Sequence, residues 1–217
     1  MKVLDCRLLT GASRSSEYPR GGLPEVVFLG RSNVGKSSLI NRLLGRSLAR
    51  TSRTPGRTQQ AHFYSVNDAA LFVDLPGYGY ARVPAKVKAE LAGIIETYLT
   101  ARRPLAVAVL IVDARHEPSD LDLEMSRWLG GEGLPFQIVS TKMDKLSNNQ
   151  RHASLSRTRR LSGREDIIPF SSQTGEGKRE LWQAIDNRIA SLRTTGTAGT
   201  PDTASRIPAS HPEESPK

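Results

Sequence analysis

The chain has 217 residues, with 31 Lys and Arg against 22 Asp and Glu for a net charge of +9, and a single cysteine, Cys6. That length suffices for one sizeable α/β domain. The lone cysteine excludes a disulfide framework, as suits a reducing cytosol, and no stretch approaches the roughly eighteen consecutive apolar residues of a membrane span.

Residues 1–24 mix Ser, Arg, Gly and Pro, and charges at Lys2, Asp5 and Arg7 leave no signal-peptide core, so the chain reads as cytoplasmic with no membrane partner. Lys2-Val3-Leu4 suits a short strand and residues 13–22 a loop. The apolar run Val26-Val27-Phe28-Leu29 predicts a central strand, and residues 37–44 predict the first helix. Between them lies Gly30-Arg31-Ser32-Asn33-Val34-Gly35-Lys36-Ser37-Ser38. Strand, glycine-framed loop, Lys-Ser and helix form the context of a phosphate-binding loop. The glycines let consecutive backbone N–H groups aim at phosphate oxygens beside the positive end of a helix. Lys36 would neutralise the outer phosphates, and the Ser37 hydroxyl would ligate Mg²⁺.

Residues 45–60 are polar and basic, with Arg46, Arg50, Arg53 and Arg57 around Pro55-Gly56; no period is sustained, which predicts a long mobile loop. Residues 62–66 and 69–73 are short β-type runs joined by a hairpin turn at Asn67-Asp68. The second runs into Asp74-Leu75-Pro76-Gly77, where the acid can hold a Mg²⁺-bound water and the Gly77 N–H can sense a terminal phosphate. Residues 84–100 fit a helix whose apolar face carries Val87, Leu91, Ile94, Ile95, Tyr98 and Leu99. Residues 105–112 read as a strand buried on both faces. Ser119 caps a helix that runs through Leu129 and that Gly130-Gly131 ends. A strand at 136–139, an arginine-rich helix at 147–160, a short strand at 167–170 and an amphipathic helix at 177–192 follow. From Thr194 the chain is Thr, Gly, Ala, Pro and Ser with scattered charge, which predicts a disordered tail. Strands alternating with helices predict an α/β, doubly wound, mainly parallel sheet of six strands, one of them antiparallel. The domain spans residues 25–193, between an N-terminal extension (1–24) and the tail (194–217).

Thr141-Lys142-Met143-Asp144 follows a buried strand. An aspartate there can accept paired hydrogen bonds from the ring N–H and amino group of guanine, a donor pair that adenine lacks, while the Lys142 stem lies across the base. Ser171-Ser172-Gln173, ending the last strand, could offer a backbone N–H to the guanine carbonyl, with Phe170, Ser171 and Ser172 counted among the nucleotide-binding residues. Each of these short pieces alone also fits a solvated strand-end turn; their order and spacing carry the reading.

With those motifs in place the chain resembles the EngB (YihA/YsxC) family of bacterial GTPases over roughly residues 3–193. The most specific pieces are residues 30–38, Thr54-Pro55-Gly56-Arg57-Thr58-Gln59, Asp74-Leu75-Pro76-Gly77-Tyr78-Gly79 and Thr141-Lys142-Met143-Asp144-Lys145. The resemblance implies a P-loop GTPase fold and a GTP-hydrolysing switch needed for assembly of the large ribosomal subunit and for normal septation. It implies that Thr58 closes on Mg²⁺ when GTP is bound, with Gly56, Arg57, Gln59 and Gln60 beside the nucleotide; on chemistry alone Thr51 and Thr54 are rivals. It also offers Asn33 as a K⁺ ligand that stabilises charge during hydrolysis, against the plainer role of capping its turn. Tyr78 stands where Ras-like proteins place a water-orienting glutamine, which implies slow hydrolysis without a partner.

A fold that already binds nucleotide does not need so large a positive excess, which points to an RNA or ribosome-type partner. The resemblance implies that this partner is the large ribosomal subunit or its precursor, through rRNA and ribosomal proteins, with the chain itself expected to be a monomer. Arg151, Arg157, Arg159, Arg160 and Arg164 form one basic run and the arginines of 46–57 another, each either a solvated face or a phosphate contact. His62 reads as a surface residue, His116 and His152 lack metal-ligand spacing, and Trp128 and Trp182 read as core. Two other functions compete: a small-molecule kinase, which leaves residues 141–144 unexplained, and a nucleotide-sensing module that barely hydrolyses.

Overall fold

The computed structural model describes residues 1–49, 60–79, 93–100 and 104–196. Among the described residues seven strands, β1 (Cys6–Ala12), β2 (Glu25–Gly30), β3 (Ala61–Val66), β4 (Ala70–Asp74), β5 (Leu105–Asp113), β6 (Phe136–Thr141) and β7 (Ile168–Pro169), form one sheet in the order β1-β3-β4-β2-β5-β6-β7. β2 pairs in parallel with β4 on one side and β5 on the other, and β5, β6 and β7 continue in parallel. β3 alone runs against its neighbours β1 and β4. The strand order therefore reverses at β2, and the crevice outside its C-terminal end is where an open α/β sheet accepts a ligand.

Alternation along β2 explains the layers. Val26 and Phe28 point into a core shared with α1 (Lys36–Leu44) and α4 (Lys178–Gly196), where Leu39, Leu43, Trp182 and Ile185 pack. Val27 and Leu29 point into a second core with the helical residues Ile95, Tyr98 and Leu99 and with Leu129 of α2 (Asp120–Gly131). α3 (Asn148–Ser162) lies in this second layer through Leu155, and Trp128 packs there half-buried.

The expected count of six strands is corrected to seven among the described residues. The extra strand is β1, and it replaces the short strand expected at Lys2–Leu4. The Asn67 side chain accepts hydrogen bonds from the Leu4 and Asp5 N–H groups (2.8 and 3.0 Å) and donates to the Lys2 carbonyl (2.8 Å), so no strand ladder takes those groups. β1 gives little hydrophobic signal because only its two ends, Cys6 and Ala12, are buried, and its register shifts between Leu8 and Thr10. The expected hairpin forms: Asn67 and Asp68 both take left-handed φ (54° and 48°), and the Ala69 N–H bonds the Val66 carbonyl at 3.0 Å. The helix capped by Ser119 continues through Gly130 and Gly131 rather than ending before them. The last strand shrinks to Ile168–Pro169, and the helix expected at 84–100 is described only at 93–100. The loop expected at 45–60 lies outside the described residues from 50 to 59, and the tail lies outside them from 197.

Candidate functional site

The loop after β2 follows from its glycines. A Cβ on Gly30 would sit 2.9 Å from the Ile111 carbonyl oxygen and 2.8 Å from Val34 Cγ1, so β5 and the returning loop leave room only for hydrogen. Gly35 caps α1 with φ 106°, a left-handed value that favours glycine. Among the described residues no side chain caps α1, which leaves its first-turn N–H groups for an anion. Lys36 is 8 % exposed, and its ammonium pairs with the buried Asp74 carboxylate at the end of β4. Ser37 Oγ lies 3.5 Å from the other Asp74 oxygen. A hydroxyl and a carboxylate placed together are hard oxygen donors, the set that Mg²⁺ takes alongside phosphate oxygens, so these residues fit that ion. Among the described residues no group of three or more His, Cys, Asp or Glu could hold a metal.

The Asp74–Gly77 segment is strapped to the loop. Leu75 N–H reaches the Phe28 carbonyl (3.4 Å), Tyr78 N–H the Gly30 carbonyl (3.3 Å), and Ser32 N–H the Tyr78 carbonyl (3.1 Å). Leu75, Pro76 and Gly77 are buried, and a Cβ on Gly77 would press on the Ser32 backbone at 3.2 Å. The Tyr78 hydroxyl donates to Asp122 at 2.9 Å, and burial together with that carboxylate pushes its pKa well up. Held in this way, the hydroxyl is committed to a carboxylate.

The 141–144 motif meets the same loop from β6. Thr141 Oγ1 lies 2.7 Å from the Val34 carbonyl and 3.0 Å from that of Val112, so a buried hydroxyl joins the loop to two strand ends. Lys142, at left-handed φ 63°, donates to the Asn33 carbonyl (2.7 Å) and to Asp113 (2.8 Å). Met143 is buried, and its N–H bonds the Phe170 carbonyl at 3.2 Å. The Ser171 hydroxyl donates to Asp144 at 2.7 Å and, with Lys145 at 3.3 Å, holds that carboxyl below its usual range. Asp144 is thus an ionised acceptor, and the half-buried Ser172 follows it on the neighbouring turn.

The structure brings residues 30–38, 74–77, 141–144 and 170–172 together at the C-terminal edge of the sheet. Gln60 is exposed beside β3, whereas Gly56, Arg57, Thr58 and Gln59 lie outside the described residues, with the rivals Thr51 and Thr54. Asn33 has φ 63° and an exposed side chain that bonds nothing among the described residues, so its capping role gains no contact there.

Comparison with known proteins agrees with this geometry. Residues 25–142 match the family described as 50S ribosome-binding GTPase. The chain is 47 % identical over 194 residues to the Probable GTP-binding protein EngB of Desulforamulus reducens, covering 87 % of this chain and 95 % of that one. It is 45 % identical over 193 residues to the protein of the same name from Bacillus subtilis, covering 87 % and 99 %. The crystal structure of a probable GTP-binding protein engB superposes with a TM-score of 0.67 at 25 % identity, covering 77 % of this chain and 99 % of that one. The chain belongs to the EngB family of GTP-binding proteins.

Two residues of this EngB chain that hold the site carry no motif of their own. Asp113 ends β5 as Asp74 ends β4, and that shared position is the signal that could have found it. Burial works to raise its carboxyl, but hydrogen bonds from Arg115 and Lys142 outweigh it and its pKa falls to about 2. A folded pKa below the unfolded value of about 4 contributes stability that is complete above that pH and is lost as pH falls through about 2. The difference corresponds to about 2 kcal/mol. Asp113→Asn is therefore expected to lower the urea midpoint at neutral pH and to flatten the decline between pH 4 and pH 2. An acid profile parallel to that of the native chain would show that Asp113 has no part in it. Arg151 is the second such residue; nothing in a run of arginines marks it out.

Proposed function

We propose that the chain is a Mg²⁺-dependent GTPase switch that engages the large ribosomal subunit or its precursor. The observation that carries the guanine reading is the joint between base motif and phosphate loop: Lys142 on Asn33, Thr141 on Val34, and Asp144 kept ionised by Ser171. Lys36 would leave Asp74 to meet the outer phosphates, Ser37 and Thr58 would hold Mg²⁺ with Asp74 as a further acid near Ser37, and Asp144 would accept the guanine donors while the 170–172 turn meets its carbonyl. When bound, Mg²⁺ would supply charge neutralisation. Gly77 lies at the loop and senses the terminal phosphate, so loss of phosphate releases the strap at Tyr78. Asn33, exposed and unbonded among the described residues, is free to hold K⁺ during hydrolysis.

The Tyr78 hydroxyl on Asp122 leaves no side chain in the glutamine's role at that position. Hydrolysis by the isolated chain is accordingly slow, and a partner completes the water-orienting machinery. The same contact favours a second reading, a nucleotide-sensing module with negligible hydrolysis. On the ribosomal side, Arg151, Arg159 and Arg164 are spent on internal partners, whereas Arg157 and Arg160 on α3 are exposed and unpaired among the described residues. Those two are the rRNA contacts of choice. The matched family's description as ribosome-binding supports this partner. A cytoplasmic setting fits the single cysteine, and a monomer acting in subunit assembly, with septation depending on it, completes this reading; among the described residues no helix is long and apolar enough to cross a membrane.

The test is titration with fluorescent GDP, GTP and ATP analogues, with and without large ribosomal subunits, followed by single-turnover hydrolysis in K⁺ and in Na⁺. Guanine-only binding, a GTP form favoured by the particle and hydrolysis speeded by it are expected. Tight ATP binding would overturn the assignment of Asp144. Hydrolysis that stays negligible on the particle would leave the sensing module standing, and equal rates in the two salts would remove the K⁺ role.

A further inference from the structure

We infer that Arg151 is a positioning residue for guanine recognition, because one guanidinium holds both halves of the base site. Arg151 lies in the first turns of α3, where its N–H bonds the Ser147 carbonyl of the capping box at 2.9 Å. Its Nε donates to the Met143 carbonyl at 3.1 Å, and its Nη2 pairs with the Glu176 carboxylate. Met143 precedes Asp144 directly. Glu176 closes the opposite turn: its carbonyl accepts the Ser171 N–H at 3.1 Å, and Gly175 N–H returns to the Ser171 carbonyl at 2.9 Å.

Asp144 and the 171–172 turn must stand at a fixed separation to meet two edges of one base. Direct bonds set part of that spacing through Ser171 on Asp144 and Met143 on Phe170. Arg151 closes the ring from behind, and its planar fork reaches in two directions at once, which a lysine ammonium on a single stem does not reproduce. Arg151 and Glu176 keep 28 % and 34 % of their side-chain surface exposed, so the pair adds little to global stability. Its effect lies in the geometry of the turn. The other arginines of the run do not share this role: Arg159 and Arg164 pair with Glu165 and Asp166, on the far side of α3's last turn from Met143 in sequence.

The inference rests on Asp144 reading guanine, and one set of titrations separates the two. GDP, IDP and ADP are titrated against the native chain, Arg151→Met, Arg151→Lys and Glu176→Gln, with thermal midpoints measured in parallel. IDP lacks the exocyclic amino group and so offers Asp144 one donor fewer. Arg151→Met is expected to weaken GDP about tenfold and IDP by less, so that the GDP-to-IDP ratio shrinks at a nearly unchanged midpoint. Arg151→Lys and Glu176→Gln are expected to fall between it and the native chain. Equal losses for GDP and IDP, or no loss, would overturn the role of Arg151. A native chain that fails to prefer GDP over ADP would instead overturn the guanine reading itself.

Discussion

Replacing Lys36 by methionine is expected to weaken GDP and GTP binding by at least about a hundredfold and to destabilise the nucleotide-free chain at the same time. The first effect is the loss of the cation that meets the outer phosphates. The second follows from burial. Lys36 and Asp74 are 8 % and 3 % exposed and neutralise each other, so removing the ammonium strands a carboxylate with no access to water. Breaking such a pair from one side costs about 3–5 kcal/mol. Asp74→Asn in the Lys36→Met background is then expected to recover much of the stability and none of the binding. Calorimetry and GDP titration on the two single variants and the double variant measure both effects. A Lys36→Met chain that melts with the native one would show that the pair is not closed in the nucleotide-free protein.

Gly177→Ala is expected to cost about 3 kcal/mol or more and to spoil nucleotide binding without touching a nucleotide ligand. Gly177 has φ +76°, and a Cβ there would fall far inside contact distance of the Pro169 carbonyl oxygen, with the Pro169 carbonyl carbon at 3.1 Å and Phe170 Cα at 3.3 Å. Both sides of that overlap are backbone, so no rotamer relieves it. The Gly177 carbonyl starts α4 by accepting the Leu181 N–H at 2.9 Å, and Pro169 belongs to β7, which has only two residues. The chain yields where it is weakest, at residues 168–171. The Phe170 carbonyl that holds Met143 and the hydroxyl that holds Asp144 both lie there. Gly163→Ala provides the control. It too sits at positive φ (+68°), but nothing lies within 4 Å of its Cβ, so only the left-handed penalty of about 1 kcal/mol is expected. Urea midpoints of the two variants therefore isolate the overlap, and equal losses would show that the contact with Pro169 relaxes at no cost.

The sequence by itself determined the parts whose physics is local. The glycine-framed loop between an apolar strand and a helix is readable because hydrogen-only positions, a Lys-Ser pair and a helix start are all encoded within nine consecutive residues. The same holds for the hairpin at Asn67-Asp68, where left-handed φ selects residue type, and for the helix capped by Ser119. The tertiary structure decided whatever depends on a partner distant in the chain. β1 becomes a strand because β3 supplies its ladder, although its own burial pattern carries almost no period. Tyr78 and Asp122 lie 44 positions apart, and only folding brings the hydroxyl to the carboxylate. The arginine run looks uniform as sequence. Within it Arg151 reaches Met143 and Glu176 while Arg157 and Arg160 face solvent, because a helix turns successive residues toward different neighbours. Residue type specifies the chemistry a side chain can perform; which partner it meets is set by packing, and that is decided by the whole sheet at once.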